Sequence, residues 1–586
     1  MIFFEKEKNE ICDLLIGRYI NLSKENIQIQ QTRKEFQGDY TIVIFSLLNF
    51  SKKPLLETGN EIGLHLVNNM HFIKSYNVVH GFLNLVFEDN FWFSMFQKDC
   101  LGDFKKEKTN QRILVEFSSP NTNKPLHLGH MRNILLGYSM ANILEQDGND
   151  VKRVQIINDR GIHICKSMLA WLKFGNNDTP QSTQLKGDHF VGKYYIKFDK
   201  EYQIQQKELI KEGYDIKYAK LNAPLIKEAQ DMLVAWENGD IKIIDLWQTM
   251  NQWVYDGFEK TYRKLGVVFD KNYYESDTYL IGKKYVQEGV DNGLLIRESD
   301  CSVWVDLTDD NLDKKILLRA DGTTVYMTQD IGTAILRQED FNFDQMIYVV
   351  GNEQNYHFDV LFKVLNKIGF KWASELCHLS YGMVNLPSGK MKSREGTVVD
   401  IDDLLQSMYN KATDIIIKSD KNIETKDIDS LSILVGDAAL KYFILKTDAK
   451  KNILFNPEES VDFNGHTGPF IQYTFARINS ILHKLDSFPR THILKRPLLK
   501  EEKMLICTIL SYKDIISQSA LSLNPALLAN YIYTLAKDYN HFYQKIPILN
   551  VDDVNDVYFR VTLSEKVGCL ISEGMSLLGI KVPLKM

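Results

Sequence analysis

The alternation of apolar and polar stretches between residues 113 and 159 predicts a strand, a helix and a second strand. The run ILVEF (113–117) has the length and apolar character of a buried parallel strand. From Leu128 to about Gln146 the apolar positions follow helical spacing, and VKRVQIIND (151–159) has the pattern of the next strand. Such a unit almost always has parallel strands and a right-handed crossover. We therefore predict an α/β fold with an open parallel sheet, and two later apolar runs add strands to it: MIYVV (346–350) and YGMVNL (381–386).

The regions around this sheet differ from it in pattern. Residues 1 to about 105 indicate a small mixed domain in which GFLNLVFEDNF (81–91) is a strand, and a charged linker (103–112) follows. Residues 160 to 265 alternate helical periodicity with charge, which predicts a helix-rich insertion between the halves of the sheet. From about residue 430 onward the pattern is mostly helical.

Length and composition restrict the class of protein. A chain of 586 residues is too long for one core, and no apolar run approaches the roughly 18 residues that a membrane span needs. The start of the chain meets charge at Glu5, which is unlike a secretory signal. The seven cysteines are odd in number and contain no CxxC pair, so we expect a reducing cytoplasm and neither a disulfide framework nor a cysteine zinc site.

Charge is unevenly distributed along the chain. The whole chain carries 70 basic and 76 acidic residues, a net charge of −6. Residues 466–586 hold 14 basic and 10 acidic residues, so this part carries +4 and the remainder −10. A basic tail on an acidic body suggests a polyanionic partner, although a solvated helical face has the same composition.

The segment SSPNTNKPLHLGHMRN (118–133) follows the first strand of the sheet and opens the predicted helix. Ligands bind outside the carboxyl ends of the strands in such sheets, and helix N-termini attract phosphate. His127 and His130 lie three residues apart on one face, with Gly129 between them. Two imidazoles at this place suit a phosphate that gains charge during reaction. Partly buried structural histidines, metal ligands and a chance match are the alternatives, and no third metal ligand lies nearby.

This segment and others in the same order resemble arginyl-tRNA synthetases, which are class I enzymes with a Rossmann-type catalytic core. The further matches cover nearly the whole chain: YMTQDIG (326–332), MIYVVGNEQNYHF (346–358), GKMKSREGTVV (389–399), TGPFIQYTFARI (467–478) and the ending LLGIKVPLKM. The resemblance implies an arginine–tRNA ligase that forms arginyl-adenylate from L-arginine and ATP and transfers it to tRNA(Arg), releasing AMP and diphosphate. It also implies Mg²⁺ that acts with ATP, without a dedicated protein metal site, in a cytoplasmic monomer.

The resemblance also implies a division into domains. Residues 1–105 correspond to an additional tRNA-binding domain of α+β type, and residues 106–400 to the catalytic domain with its insertion at about 165–265. Residues 401–460 form a connecting helical region. Residues 461–586 correspond to an all-α helical-bundle domain that binds the anticodon.

The arginine site is expected at the edge of the sheet. A guanidinium group is a planar fork of donors, so its recognition needs carboxylates. Tyr326 and Asp330 are four apart on a predicted helix and share a face. Glu116 lies in an apolar strand, where a carboxylate is costly without a partner, and a substrate cation would be such a partner. The resemblance assigns Glu116, Tyr326 and Asp330 to the guanidinium, and Asn121 and Gln354 to the backbone groups of the amino acid.

The ATP site is expected around the two histidines. By resemblance the residues that bind ATP or act on it are Gly129, His127, His130, Lys390, Met391, Ser393, Lys392 and Lys124. His357, Asn158 and Asp159 follow predicted strands, where a nucleotide could lie, and are further candidates for the ATP site. The segment KMKSR (390–394) departs from the common KMSKS pattern, because Ser393 stands where the second lysine belongs. We expect Lys124 to take over the role of this lysine.

Contacts with tRNA are expected at both ends of the chain. Aromatic side chains can stack on unpaired bases while arginine holds phosphates. The resemblance assigns this role to Phe82 and Asn84 in the N-terminal domain, and to Gln472, Tyr473 and Arg477 in the C-terminal one. Taken singly, Tyr473 fits a core position equally well.

Three other functions remain open at this point. One is a nucleotidyl transferase that makes a small-molecule adenylate without RNA, against which the long helical C-terminal part argues. Another is a non-catalytic RNA-binding relative, which the altered KMSKS pattern would favour. The third is a synthetase for a different amino acid, against which the pair Tyr326 and Asp330 argues.

Overall fold

The computed structural model describes residues 5–33, 35–100, 106–385, 399–419, 425–485, 489, 494 and 496–586. The strands in these ranges are β1 (Ile29–Gln31), β2 (Tyr40–Val43), β3 (Ile73–Val79), β4 (Phe82–Phe87), β5 (Arg112–Glu116), β6 (Asp150–Ile157), β7 (Lys271–Tyr274), β8 (Ile296–Arg297), β9 (Val303–Val305), β10 (Lys315–Leu318), β11 (Gln345–Gly351), β12 (Leu376–Tyr381), β13 (Val384–Asn385) and β14 (Ile453–Leu454).

The helices in the same ranges are α1 (Glu5–Arg18), α2 (Leu48–Ser51), α3 (Leu55–Asn69), α4 (Asp89–Cys100), α5 (Leu128–Gln146), α6 (Ile162–Phe174), α7 (Pro180–Thr183), α8 (Gly187–Lys211), α9 (Ile216–Asn222), α10 (Pro224–Glu237), α11 (Ile241–Leu265), α12 (Glu275–Thr278), α13 (Ile281–Asp291), α14 (Tyr326–Phe341), α15 (Asn355–Lys367), α16 (Ile401–Ser419), α17 (Thr425–Leu445), α18 (Pro457–Ser460), α19 (Gly468–Leu482), α20 (Lys500–Leu510), α21 (Tyr512–Leu521), α22 (Pro525–Lys545) and α23 (Val554–Leu577).

The core of the catalytic region is a five-stranded parallel sheet in the order β12-β11-β5-β6-β7. The predicted unit β5-α5-β6 is confirmed, and α5 is buried around most of its circumference. β5 lies at the centre, and the chain moves to one side through β6 and to the other through β11. The crevice beside β5 is therefore the switch point at which open α/β sheets bind ligands.

The strand pattern differs from the prediction in two places. The run 381–386 was expected to be one strand, but β12 ends at Tyr381 and β13 pairs outside the central sheet with β14. Gly382 separates them, and a Cβ at this position would meet the side-chain oxygen of Asn452 at 2.7 Å. A short antiparallel sheet, β10-β9-β8, was not predicted, because its strands have only two to four residues.

The N-terminal domain contains an antiparallel sheet in the order β1-β2-β4-β3, which agrees with the mixed domain expected there. The predicted strand 81–91 is correct only for β4, since α4 begins at Asp89. An aspartate in the first turn interacts favourably with the helix dipole.

The C-terminal helices join the other two regions. The Asn142 amide of α5 donates to the carbonyl of Leu577 at 3.1 Å. Phe93 and Phe96 of α4 contact the ring of Phe559 on α23, with ring centroids 5.6 and 6.1 Å apart. The N-terminal domain therefore packs on the helical domain. Within the described part of the chain, none of the helices has the length and apolarity needed to cross a bilayer.

Candidate active site

The HLGH turn begins α5, and both of its histidines hydrogen-bond to the backbone. His127 is the N-cap, and its Nδ1 accepts from the amide of Gly129 at 3.2 Å. The amide of His127 donates to Nδ1 of His130 at 3.2 Å, and the two rings lie 3.8 Å apart. Because each Nδ1 accepts, the proton of each neutral ring is on Nε2. The turn thus offers two Nε2–H donors.

Burial keeps both rings uncharged at neutral pH. It lowers the pKa of His127 to about 4, with the nearby Lys124 ammonium acting in the same direction. Burial also lowers the pKa of His130 well below its ordinary value, as do His127 and Lys124. These histidines can therefore stabilise a phosphate by hydrogen bonding, while Lys124 supplies the positive charge.

Lys124 lies in the loop between β5 and α5. Burial lowers the pKa of its ammonium group, and no described residue forms an ion pair or hydrogen bond with it. Buried charges are normally paired, so this ammonium group is available to a ligand anion.

The loop that precedes Lys124 has an unusual backbone. Ser118 and Ser119 both adopt left-handed conformations, with φ of 81° and 47°. Non-glycine residues rarely adopt this conformation, and consecutive examples concentrate at functional sites. The side chain of Asn133, on α5, accepts from the amide of Ser118 and so fixes the turn.

The chain returns to the HLGH turn after the KMKSR segment. The amide of Leu128 donates to the carbonyl of Val399, the amide of Ile401 donates to the carbonyl of Leu126, and His127 and Asp400 form a β-bridge. The candidate residues in between, Lys390, Met391, Lys392 and Ser393, lie outside the described residues.

Asp400 also belongs to an ionic cluster. His189 on α8 lies 3.1 Å from Asp400 and 3.6 Å from Asp402, and hydrogen bonds to both carboxylates raise its pKa to about 10. The spacing of these three groups could hold a metal. Lys186 and Lys264 already contact Asp402, so this donor set does not fit a divalent cation. The cluster joins the insertion to the start of α16.

The residues expected to bind arginine lie around the carboxyl edge of the sheet. Tyr326 and Asp330 are on the first turns of α14, where Tyr326 is 77% exposed. The Asp330 side chain is 40% exposed, and its carboxylate lies 2.7 Å from Nε2 of His357. Gln354 ends a short turn after β11, and Asn121 follows β5; both are exposed. His357, expected at the nucleotide, therefore contacts the carboxylate of Asp330, which is expected at the arginine.

Glu116 already has an internal partner. Its carboxylate forms a buried ion pair with the guanidinium of Arg337, on α14, and its Oε1 accepts from the hydroxyl of Ser119 at 3.0 Å. Both side chains of the ion pair are at least nine-tenths buried. A substrate cation was expected as the partner of Glu116, and the structure instead pairs Glu116 with Arg337, seven residues after Asp330 on the same helix.

Asp159 does not fit the expected nucleotide contact. Its buried carboxylate accepts hydrogen bonds from the hydroxyl of Tyr255 and from the amide and hydroxyl of Ser276, at 2.8–2.9 Å. These bonds tie β6 to α11 and α12. Asn158 holds the loop after β5, because its side-chain amide donates to the carbonyl of Ser119.

Two of the expected tRNA contacts are buried, which does not fit a contact with RNA. Asn84 is fully buried on β4 and bonds to Thr41 and Asn77. Gln472 is fully buried on α19, and its amide donates to the carbonyls of Leu434 and Lys581. Neither the strand pattern nor the helix pattern indicated that these polar residues face inward.

The other expected tRNA contacts lie in partly exposed aromatic clusters. Phe82 stacks on Phe36, with Arg33 5.3 Å from its ring. On the helical domain, the guanidinium of Arg477 lies between the rings of Tyr473 and Tyr543, at 4.9 and 4.8 Å. These tyrosines are 43% and 40% exposed. Tyr473, Arg477 and Tyr543 form a stack, here called the tyrosine–arginine ladder, that joins α19 to α22. Sequence reasoning did not single out Tyr543.

The chain matches two family descriptions. Residues 94–456 match "tRNA synthetases class I (R), catalytic domain", and residues 471–586 match "DALR anticodon binding domain". The arginine–tRNA ligase of Flavobacterium psychrophilum is 53% identical over 97% of this chain and 98% of its own length. That of Bacteroides thetaiotaomicron is 50% identical over 98% and 100%.

Solved structures show the same fold. Thermus thermophilus arginyl-tRNA synthetase aligns with a TM-score of 0.80 and 23% identity, covering 99% of this chain and 100% of that one. The enzyme from Plasmodium falciparum aligns with a TM-score of 0.76 and 20% identity, covering 99% of both chains. With these sequence matches over nearly the full length of both partners, the chain belongs to the arginine–tRNA ligase family of class I tRNA synthetases.

Proposed function

We propose how the residues described above divide the work of an arginine–tRNA ligase. The family reaction joins L-arginine to tRNA(Arg) at the expense of ATP, through an arginyl-adenylate, and releases AMP and diphosphate. The observation that carries the assignment is that the two neutral imidazoles of the HLGH turn meet Lys124, which has no partner among the described residues, at one helix N-terminus.

Asp330 is the carboxylate that binds the substrate guanidinium in this proposal. Its side chain is accessible, whereas the buried Glu116 is neutralised by Arg337. Tyr326 lies one helical turn away on the same face, and His357 orients the Asp330 carboxylate. Glu116 then acts indirectly, by holding Ser119 in the strained loop. Asn121 and Gln354 bind the amino and carboxyl groups.

The HLGH turn acts on the α-phosphate of ATP. As the arginine carboxylate attacks, negative charge grows on the phosphate oxygens, and the Nε2–H donors of His127 and His130 stabilise it. Lys124 adds a positive charge, and Gly129 leaves room for the ring of His127, because a Cβ at this position would lie 3.0 Å from that ring. Mg²⁺ bound with ATP neutralises the phosphates that leave. Lys390, Met391, Lys392 and Ser393 complete the phosphate site in this proposal.

The aromatic surfaces bind the tRNA. Tyr473, Arg477 and Tyr543 offer two ring faces and a guanidinium to unpaired bases. Phe82 offers another ring in the N-terminal domain. We place the activity in the cytoplasm on the family resemblance alone. We place it in a monomer, since the described residues of one chain include all the groups that the proposal assigns outside the KMKSR segment.

An omission assay tests the proposal. Purified protein is incubated with labelled arginine, ATP, Mg²⁺ and tRNA, and each component is left out in turn. We expect acid-precipitable arginine only in the complete mixture. Arginine attached without tRNA, or no attachment in the complete mixture, would contradict the assignment.

A further inference from the structure

Arg132 is a fully buried cation beside the HLGH turn. Its guanidinium donates to five backbone carbonyls: Gly382 at 2.6 Å, Met383 at 3.3 Å, Asp448 at 3.3 Å, Ala449 at 3.0 Å and Lys451 at 2.7 Å. No described carboxylate forms an ion pair with it. Burial lowers the pKa of this guanidinium to about 10, which reflects the cost of its environment.

Burying an arginine without a carboxylate partner has a large cost in folding free energy. Moving a charge out of water costs several kcal/mol or more, and an apolar side chain of similar volume often serves stability equally well. What a buried, hydrogen-bonded cation provides is a defined geometry. The five carbonyls belong to two chain segments, so one side chain fixes both relative to α5.

The two segments held by Arg132 adjoin the catalytic edge. Gly382 and Met383 directly follow β12, and Asp448 to Lys451 lead into β14. Gly382 also donates to the carbonyl of Ala449 at 2.9 Å. The next residue, Asn133, donates to the carbonyl of Val349 at 2.7 Å and to the hydroxyl of Tyr381 at 3.2 Å. The first turns of α5 are thus anchored to both β11 and β12.

We infer that Arg132 is a positioning residue for the adenylation step, because it holds the start of α5, and with it the HLGH turn, against the residues that follow β12 and the segment that leads into β14. The inference rests on the role proposed above for that turn. Arg132 touches neither substrate nor cofactor. Its loss shifts His127 and His130 relative to the bound ATP, and small displacements of groups that act in the transition state lower kcat more than they weaken binding.

Lys441 provides a matched control. It is a second buried cation that bonds to backbone carbonyls, those of Leu265 and Gly579, each at 3.0 Å, and it lies on α17. It also pairs with Asp437 at 3.3 Å, so its substitution removes at least as many buried polar interactions per donor, and none of its partners belongs to the HLGH turn. The variants are Arg132→Lys, Arg132→Met and Lys441→Met, and the measurements are Tm, kcat and the KM values for arginine and ATP.

We expect the Arg132 variants to lose kcat by about 30- to 100-fold, with both KM values within about threefold of wild type. Lys441→Met should lower Tm similarly and keep kcat per folded molecule within about twofold. If the Arg132 variants keep the wild-type kcat per folded molecule, or lose no more than Lys441→Met, Arg132 serves stability alone and the inference fails. If Arg132→Met does not fold, Arg132→Lys carries the comparison.

Gly382→Ala tests the same geometry by displacing the segment to which Arg132 bonds. A Cβ there would meet the Asn452 side chain at 2.7 Å and the carbonyl of Lys451 at 2.8 Å, so the segment must move while Arg132 stays intact. The variant should also lose kcat at unchanged arginine KM, and a wild-type kcat would count against the inference. Wild-type protein that attaches no arginine to tRNA would instead overturn the proposed function.

Discussion

At the scale of single residues, the HLGH turn explains why this chain needs Lys124. The two imidazoles are neutral hydrogen-bond donors, so the site contains few charges that can meet a triphosphate. Lys124→Ala should lower the single-turnover rate of adenylate formation by two to three orders of magnitude, about 2.7–4 kcal/mol, as loss of a transition-state donor does. The exposed Lys152 of β6 provides the control, since Lys152→Ala should leave the rate unchanged. If Lys124→Ala leaves the rate of adenylate formation nearly unchanged while Lys392→Ala abolishes it, Lys392 rather than Lys124 binds the phosphates in the transition state.

The depressed histidine pKa values predict an unusual pH profile. A histidine of ordinary pKa becomes charged below about pH 6.5, whereas His127 keeps its neutral form down to about pH 4. We therefore expect the single-turnover rate to stay flat from pH 8 down to about pH 5.5. On the alkaline side the lowered pKa of Lys124 should make the rate fall earlier than for an ordinary lysine. A fall in rate with a midpoint near pH 6.5, seen in both wild type and Lys124→Ala, would contradict the conclusion that the two histidines act as neutral donors.

At the scale of elements, the tyrosine–arginine ladder of α19 and α22 is the clearest candidate surface for RNA. Arg477→Ala should raise the KM for tRNA at least about tenfold and leave the arginine KM unchanged, because stacking contributes about 1–3 kcal/mol per base. Gln472→Ala on the same helix provides the contrast. It should lower Tm, since it removes two buried hydrogen bonds, while the tRNA KM of the folded protein stays near wild type. If both variants change only Tm, the ladder is structural.

The elements also show how much of the fold could be predicted from the sequence. The unit β5-α5-β6 could be predicted because a short continuous apolar run favours a buried parallel strand, whereas apolar positions at helical spacing over a longer stretch favour a helix. The break between β12 and β13 could not, because it depends on the close approach of Gly382 to a segment some 70 residues later. Likewise, a polar residue such as Asn84 gives no sign in the sequence of the buried partner that satisfies it, and Arg337 became recognisable as the partner of Glu116 only in three dimensions.

At the scale of the whole molecule, the N-terminal and C-terminal domains contact each other directly. Lys503 of α20 forms an ion pair with Asp39 at 3.0 Å, and Lys566 of α23 pairs with Asp99 at 2.9 Å. One tRNA that touches both Phe82 and the ladder would depend on this contact. The two ends of the chain therefore pack as one body, on which the proposed RNA contacts of both ends depend.

Disruption of this contact should weaken tRNA use alone. Lys503→Met should raise the tRNA KM by about three- to tenfold and leave the arginine and ATP KM values unchanged, since the pair is only partly buried and worth about 1 kcal/mol. The exposed Lys500 on the same helix is the control, and Lys500→Met should have little effect. Equal effects of the two variants would mean that loss of basic charge, rather than domain contact, weakens binding.

In the proposed function, Asp330 makes this chain specific for arginine. The most direct test compares arginine with citrulline, the neutral isostere of arginine. We measure kcat/KM for both amino acids with wild type, Asp330→Asn and the control Glu339→Gln, whose carboxylate on the same helix bonds to Tyr285. Asp330→Asn should lose about 100-fold or more for arginine, because a charged hydrogen bond is worth about 1.5–3 kcal/mol and more when desolvated, while its low activity with citrulline stays unchanged. Glu339→Gln should match wild type. An Asp330→Asn variant that still prefers arginine over citrulline as strongly as wild type would contradict the account.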